Sequence, residues 1–218
     1  MNGIFDIVLF AIFAVFIISK LINVLGKTEF DEEEMNRPQK MDQAKTIEVP
    51  YEEIKEEDYK GIEARHGKDV AEKIKMIRKE DPYFTEENFL VGAKKAFEMI
   101  VNAFAKGDKN TLKPLLSEGV YKSFEREIDD RKNRQEIDDL TLVSIHAPNI
   151  KNISVDRKYA QIELEIISEQ INLVKDKSGK VIEGDPSHVS KIKEIWTFGR
   201  NLNSQNPNWE LTNISSEK

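Results

Sequence analysis

The sequence predicts an α+β chain: an N-terminal transmembrane helix, then helices packed on an antiparallel sheet. Three observations carry this. An almost uncharged apolar run fills residues 4–25. Apolar residues recur at helical spacing from Phe89 to Ile128. From Leu140 onward the period drops to two, with polar and apolar residues alternating. Helices first and strands after give segregated layers, not alternating βαβ units.

The first run, Ile4 to Leu25, carries only Asp6 near one end and Lys20 near the other. Its apolar residues are Ile7, Val8, Leu9 and Phe10, then Ile12 and Phe13, then Val15, Phe16, Ile17 and Ile18. The uncharged core to Ser19 is short for a span, in the range of a signal-peptide h-region or a buried helix. The flanks decide. A secretory signal needs a basic n-region and a small-residue cleavage site, and neither is present. Lys20 can snorkel, so the helix extends to Leu25 and covers roughly 33 Å, close to the hydrocarbon thickness. The expectation is an uncleaved single-pass anchor over residues 1–27, with a cleaved signal and a helix in a soluble core as alternatives. Lys20, Lys27, Arg37 and Lys40 all lie on the C-terminal side. The positive-inside rule then puts the N-terminus outside and the rest on the cytoplasmic face, or the matrix face of a mitochondrion.

The chain has 218 residues and no Cys. About 190 residues lie beyond the anchor, enough for one medium domain and a linker. A disulfide framework, a thiol nucleophile and Cys-based metal sites are excluded. The net charge of −7 is concentrated. Glu29–Lys60 holds about 12 acidic and about 5 basic residues, so the remainder is near neutral. That disfavours nucleic acid as a partner. Residues 28–60 have few apolar residues and no sustained period, which reads as a disordered acidic linker. Its mean span is roughly 30 Å and its limit roughly 100 Å. A docking motif at Tyr51–Tyr59 is the alternative to a passive spacer.

Residues 61–82 read as a basic amphipathic helix opening the domain, with the helix itself from His66 to Glu80. Val70, Ile74 and Ile77 form its stripe, and Lys68, Lys73, Lys75, Arg78 and Lys79 decorate it. It either packs its stripe on the domain or lies on a membrane or partner. In the latter case these five cations are the contact residues. The domain proper is expected over 83–217. Thr85 caps a helix that runs through Phe89, Phe97, Ile100 and Phe104 to Gly107. Asp108 caps a short helix holding Pro114 near its start or in a bend. Ser117 caps a further helix with Val120, Tyr121, Phe124 and Ile128. Beyond Asp129 the apolar face is lost, and the stretch is expected to be solvated. Strands are predicted over 141–147, 150–155, 159–167, 171–175, 180–183, 187–198 and 209–214, with Asp176-Lys-Ser-Gly179 as a hairpin turn.

There is no P-loop, dinucleotide fingerprint or nucleophile elbow. His66, His146 and His188 share no ligand spacing, so neither a metal nor a cofactor is expected.

Two stretches occur together in order. One runs from Asn88 through Phe97, Phe104 and Gly107 to Ser117. The other is Glu194-Ile-Trp-Thr-Phe-Gly-Arg200, followed by Asn206-Pro-Asn-Trp-Glu-Leu211. Together they resemble the Tim forty-four-like family, the domain of the mitochondrial import-motor scaffold and its bacterial inner-membrane relatives, over roughly residues 75–215. The resemblance implies a cone of the nuclear-transport-factor-two (cystatin-like) type, with a curved sheet closing on the helices around an apolar pocket. Phe97, Phe104, Leu164, Ile166, Trp196 and Phe198 would line that pocket. It also implies binding of anionic lipid and of a translocating polypeptide, with a DnaK-type chaperone or a translocon as further partners. The chain lacks the family's long chaperone-binding N-terminal region and an Arg-rich presequence, so a bacterial plasma membrane is favoured over a mitochondrion.

The resulting expectation is a non-enzymatic, membrane-anchored adaptor that serves protein translocation or membrane protein assembly. One alternative is a catalytic or small-molecule-binding pocket using Glu165, Tyr121 or Glu194. Another is ribosome docking at the membrane, which the near-neutral domain disfavours.

Overall fold

The computed structural model describes residues 56–216. The expected anchor, from Ile7 to Ile18 with its flanks, and the linker up to residue 55 lie outside the described residues. Among the described residues, no helix is long and apolar enough to cross a membrane.

Helix α1 (Glu56–His66) begins inside the stretch read as linker. The acidic composition hid two apolar side chains on one face: Ile62 is buried and Tyr59 packs against the core. Helix α2 (Lys68–Glu80) follows at once. The helix expected over His66–Glu80 stands, starting two residues later. Gly67 has φ 87°, a left-handed value that a helical residue cannot take. Val70, Ala71, Ile74 and Ile77 face the core, as the stripe requires.

Helix α3 (Glu86–Lys106) starts as its capping residues demand. Thr85 accepts the Asn88 N–H at 3.2 Å. It ends at Gly107, φ 67°, whose N–H returns to the Phe104 carbonyl. In α4 (Lys109–Leu112) the Asp108 carboxylate accepts the Thr111 N–H. Pro114 lies beyond the end of α4, not near its start, because it cannot donate the N–H that a continuing helix needs. Helix α5 (Glu118–Arg134) has Ser117 at its cap position without a side-chain cap bond. The Ser117 N–H instead donates to the Leu211 carbonyl, tying the start of α5 to the sheet.

The strands are β1 (Ile137–Ile145), β2 (Asn149–Asp156), β3 (Tyr159–Lys175), β4 (Val181–Glu183), β5 (Ser190–Asn201) and β6 (Glu210–Ser216). All pairings between them are antiparallel, in the order β1-β3-β5-β6, with β2 and β4 also on β3. Strand β3 is the spine. On one edge it pairs β2 along its first half and β1 along its second; on the other it pairs β5 and then β4. Register shifts in the β1, β2, β4 and β6 pairings mark bulges, which bend the strands. The sequence suggested two strands, 159–167 and 171–175, where one of 17 residues stands. Alternation does not stop at Ile166. It continues through Ser168 and Gln170, which are buried although polar. The helices cover the inner face, where Ala160, Ile162, Leu164 and Ile166 lie. The result is the expected α+β arrangement, with helices on one face of an antiparallel sheet.

Candidate functional site: the two sides of α2 and an inward-facing acid

Strand period places Trp196, Phe198 and Arg200 on the inner face of β5. Trp196 meets Phe97 of α3 with ring centroids 4.7 Å apart. Phe198 meets Phe89 edge-on at 6.2 Å. Phe89 in turn packs on Trp209 at 4.9 Å, and Phe84 lies 5.8 Å from both. Arg200 Nη1 donates to Asp81 Oδ2 at 2.7 Å, and Arg78 Nη1 donates to the Phe84 carbonyl at 2.7 Å. Two guanidiniums and a chain of aromatic rings thus lock the α2–α3 turn onto the sheet. Gly199 sits between Phe198 and Arg200 with its α-carbon facing outward. A Cβ there would collide with the Tyr159 hydroxyl and the Thr212 methyl.

This arrangement corrects the pocket expectation. Phe97, Leu164, Ile166, Trp196 and Phe198 are each at most 2% exposed and belong to the core. They fill the space between helix and sheet by packing on one another. Phe104 is half-buried, with Phe124 at 4.6 Å and the Arg131 guanidinium 4.3 Å above its ring.

Of the five cations expected on a contact face, Arg78 is not available. It is buried at 9% exposure and its charge serves the Phe84 carbonyl. Lys68, Lys75 and Lys79 are exposed and Lys73 is half-buried. The apolar stripe of α2 is spent on the core, so only its charged side faces outward, with Met76 among the lysines. A groove of about 140 Å³ runs between α1 and α2, lined by Tyr59, Lys60, Glu63, Lys68, Glu72 and Lys75 over Ala71. Lys75 Nζ stands 4.7 Å over the Tyr59 ring. At the far end of α1, Arg65 and His66 both reach Glu86 in the first turn of α3, at 2.8 and 2.6 Å. Burial pushes the Glu86 carboxyl up, but the hydrogen bonds from Arg65 and His66 outweigh it and hold the group below its ordinary value.

The three acid–base candidates separate. Glu165 points outward to Lys193 at 2.6 Å and Lys151 at 3.6 Å, and the Lys193 hydrogen bond is the largest of the effects that lower its carboxyl. Tyr121 donates to Glu125 on its own helix. Only Glu194 lies on the inner face, cross-strand from Ile166, where it accepts the Trp196 indole N–H at 3.2 Å. Burial pushes its carboxyl up, so the neutral acid is favoured. Ser168 and Gln170, joined at 2.8 Å, continue this polar stretch of the inner face.

Sequence reasoning missed Arg131, in the stretch expected to be solvated. It is 4% exposed, donates to the Phe104 carbonyl at 2.6 Å and pairs with Asp138. A signal was present: Val120, Phe124, Ile128 and Arg131 share one helical stripe, as Ile74 and Arg78 do. Among the described residues, no group of three His, Cys, Asp or Glu side chains is placed to hold a metal ion.

The chain is similar to the uncharacterized protein RP434 of Rickettsia prowazekii (strain Madrid E), 25% identical over 228 residues and covering 97% of each chain. It is 27% identical over 157 residues to the probable mitochondrial import inner membrane translocase subunit tin-44 of Caenorhabditis elegans. That match covers 69% of this chain but only 36% of the worm protein. Among solved structures, the intermembrane space region of the chloroplast protein ARC6 shares 12% identity at a TM-score of 0.43, over 58% of this chain and 95% of that one. The Tim44-like domain pattern matches residues 70–216, which takes in α2, the locked turn and the whole sheet; the chain belongs to the Tim44-like domain family.

Proposed function

We propose that this protein is a membrane-anchored, non-enzymatic adaptor on the inner face of a bacterial inner membrane. It holds a polypeptide segment, an anionic lipid surface or both, in support of protein translocation or membrane protein assembly. The observation that carries this is the Tim44-like match over residues 70–216, a family that suggests a scaffold or adaptor role in translocation. Two further points support it. The family's motif residues are consumed by packing, as expected of a rigid platform. The exposed cations of α2 stand one short helix beyond the segment that follows the expected anchor. The proposed contact residues are Lys68, Lys73, Lys75 and Lys79. A translocating or inserting chain and membrane lipid are the direct partners, with a translocon or a DnaK-type chaperone in the same complex.

The test is site-specific photo-crosslinking in membranes from probes at Lys68 and Lys75 of the full chain. The account expects adducts with polypeptides in transit that vanish when translocation is blocked. Adducts indifferent to translocation contradict it.

A second reading, a small-molecule or catalytic interior, has one observation in its favour: the inward-facing, partly buried Glu194 on the same sheet face as the buried Ser168 and Gln170. Native mass spectrometry of the purified chain that finds no retained small molecule counts against it.

A further inference from the structure

Helix α1 is joined to the rest of the domain unlike any other element. It is a poor helix by itself: Gly61 stands in its middle, and among its described side chains only Tyr59 and Ile62 are large and apolar. Its main neighbour is α2, and a groove of about 140 Å³ rimmed by charged side chains runs between the two. The link between them is one residue, Gly67, at φ 87°, with nothing within 4 Å of the place a Cβ would occupy. The chain can turn there without a side chain to move. Helix α2, by contrast, seats Ile74 and Ile77 with no exposure at all.

What closes α1 is a single carboxylate. Glu86 takes Arg65 at 2.8 Å and His66 at 2.6 Å, the last two residues of α1. The Glu86 and His66 side chains are 10% and 9% exposed, so this pairing is sheltered from solvent where Lys68–Glu72 is open to it. Among the described residues of α1, Ile62 is also held, at 5% exposure, and Tyr59 packs against the core under Lys75.

The geometry points to a latched arm: α1 leaves the domain as a unit by turning at Gly67, and Glu86 is the latch that holds it shut. Opening exposes the apolar seat of Ile62 and frees the Glu86 carboxylate. Such a surface suits another short helix bearing an apolar residue and a cation three places on, as Ile62 and Arg65 are. The arm also lies on the chain's path from the N-terminal segment to the domain. The inference stands on the joint itself and does not depend on what the domain binds.

Amide hydrogen exchange of the full chain tests it, compared between wild type, E86Q and the control E87Q in the same helical turn. In wild type, residues 59–66 should exchange at least about tenfold faster than residues 70–79, the mark of a sub-global opening. E86Q should speed residues 59–66 by a further factor of about ten and leave residues 70–79 and 93–103 unchanged. E87Q should change neither. Residues 59–66 and 70–79 rising together in E86Q overturns the inference, because α1 then opens only with the domain. So does an E86Q profile indistinguishable from wild type.

Discussion

The inner side of α2 sends Ile74, Ile77 and Arg78 into the core, whereas its outer side carries Lys68, Lys75, Lys79 and the short helix α1. The inner side is held by apolar burial, by the Arg78 bond to Phe84 and by Arg200 reaching Asp81 just past the helix end. The outer helix α1 is held by Ile62, by one carboxylate and by a cation over a ring. The difference separates what the family motif specifies from what it leaves open. Trp196, Phe198, Arg200 and Trp209 all belong to the locked side. The motif residues are therefore scaffold residues of this domain.

The strongest way to break this comparison is through the locked side. Trp196→Ala removes the ring that fills the gap to Phe97, and large aromatic deletions of this kind cost about 3–5 kcal/mol. Urea melts should show the midpoint falling sharply with the slope unchanged. Arg200→Ala comes next. It leaves Asp81, 19% exposed, facing a vacated site, and removing one partner of a buried pair costs on the order of 3 kcal/mol. If Arg200→Ala were neutral, the locked side would rest on its apolar packing and Arg78.

Two acids sharpen the comparison through pH. Glu194 is raised by burial, so its folded form binds the proton more tightly than the unfolded chain does. Stability is then lost as pH rises from the ordinary carboxylate value toward the raised one. Glu86 is lowered, so the stability it contributes is present above the ordinary value and lost as pH falls through its depressed one. Melting curves across pH should show Glu194→Gln flattening the alkaline side of that range and Glu86→Gln the acid side. The same slope in all three proteins would contradict both assignments. The smallest effect belongs to the outer side: reversing Lys68, Lys75 and Lys79 to Glu should move stability by about 0.5 kcal/mol or less, as exposed charges do.

Most of the layer arrangement was legible in the sequence, because caps and periods are local. Thr85, Asp108 and Gly107 mark their helix ends by chemistry that needs no partner from elsewhere in the chain. The strand of Ala160, Ile162, Leu164 and Ile166 reads directly from its alternation. What stayed hidden were polar side chains whose partners are remote. Ser168 and Gln170 keep the strand period but break its hydrophobic pattern, so one strand looked like two. Arg131 is separated from Phe104 by 27 residues and Arg200 from Asp81 by 119. Residue type alone assigns such guanidiniums to solvent. Helix α1 hid for the same reason, with two apolar residues in an acidic stretch. The pocket failed differently. The residues named for it are inward-facing as expected, but inward-facing aromatics pack on one another when helix and sheet lie this close.

The claim that the outer side of α2 works at a membrane is met most directly by vesicle flotation of residues 56–218, which lack the expected anchor. Vesicles with and without anionic lipid are compared at low and moderate salt. The account predicts flotation with anionic vesicles only, weakened by salt. It predicts loss of flotation when Lys68, Lys73, Lys75 and Lys79 are changed to Glu, with melting unaltered. Absence of flotation under every condition, or flotation indifferent to the charge reversal, would contradict it.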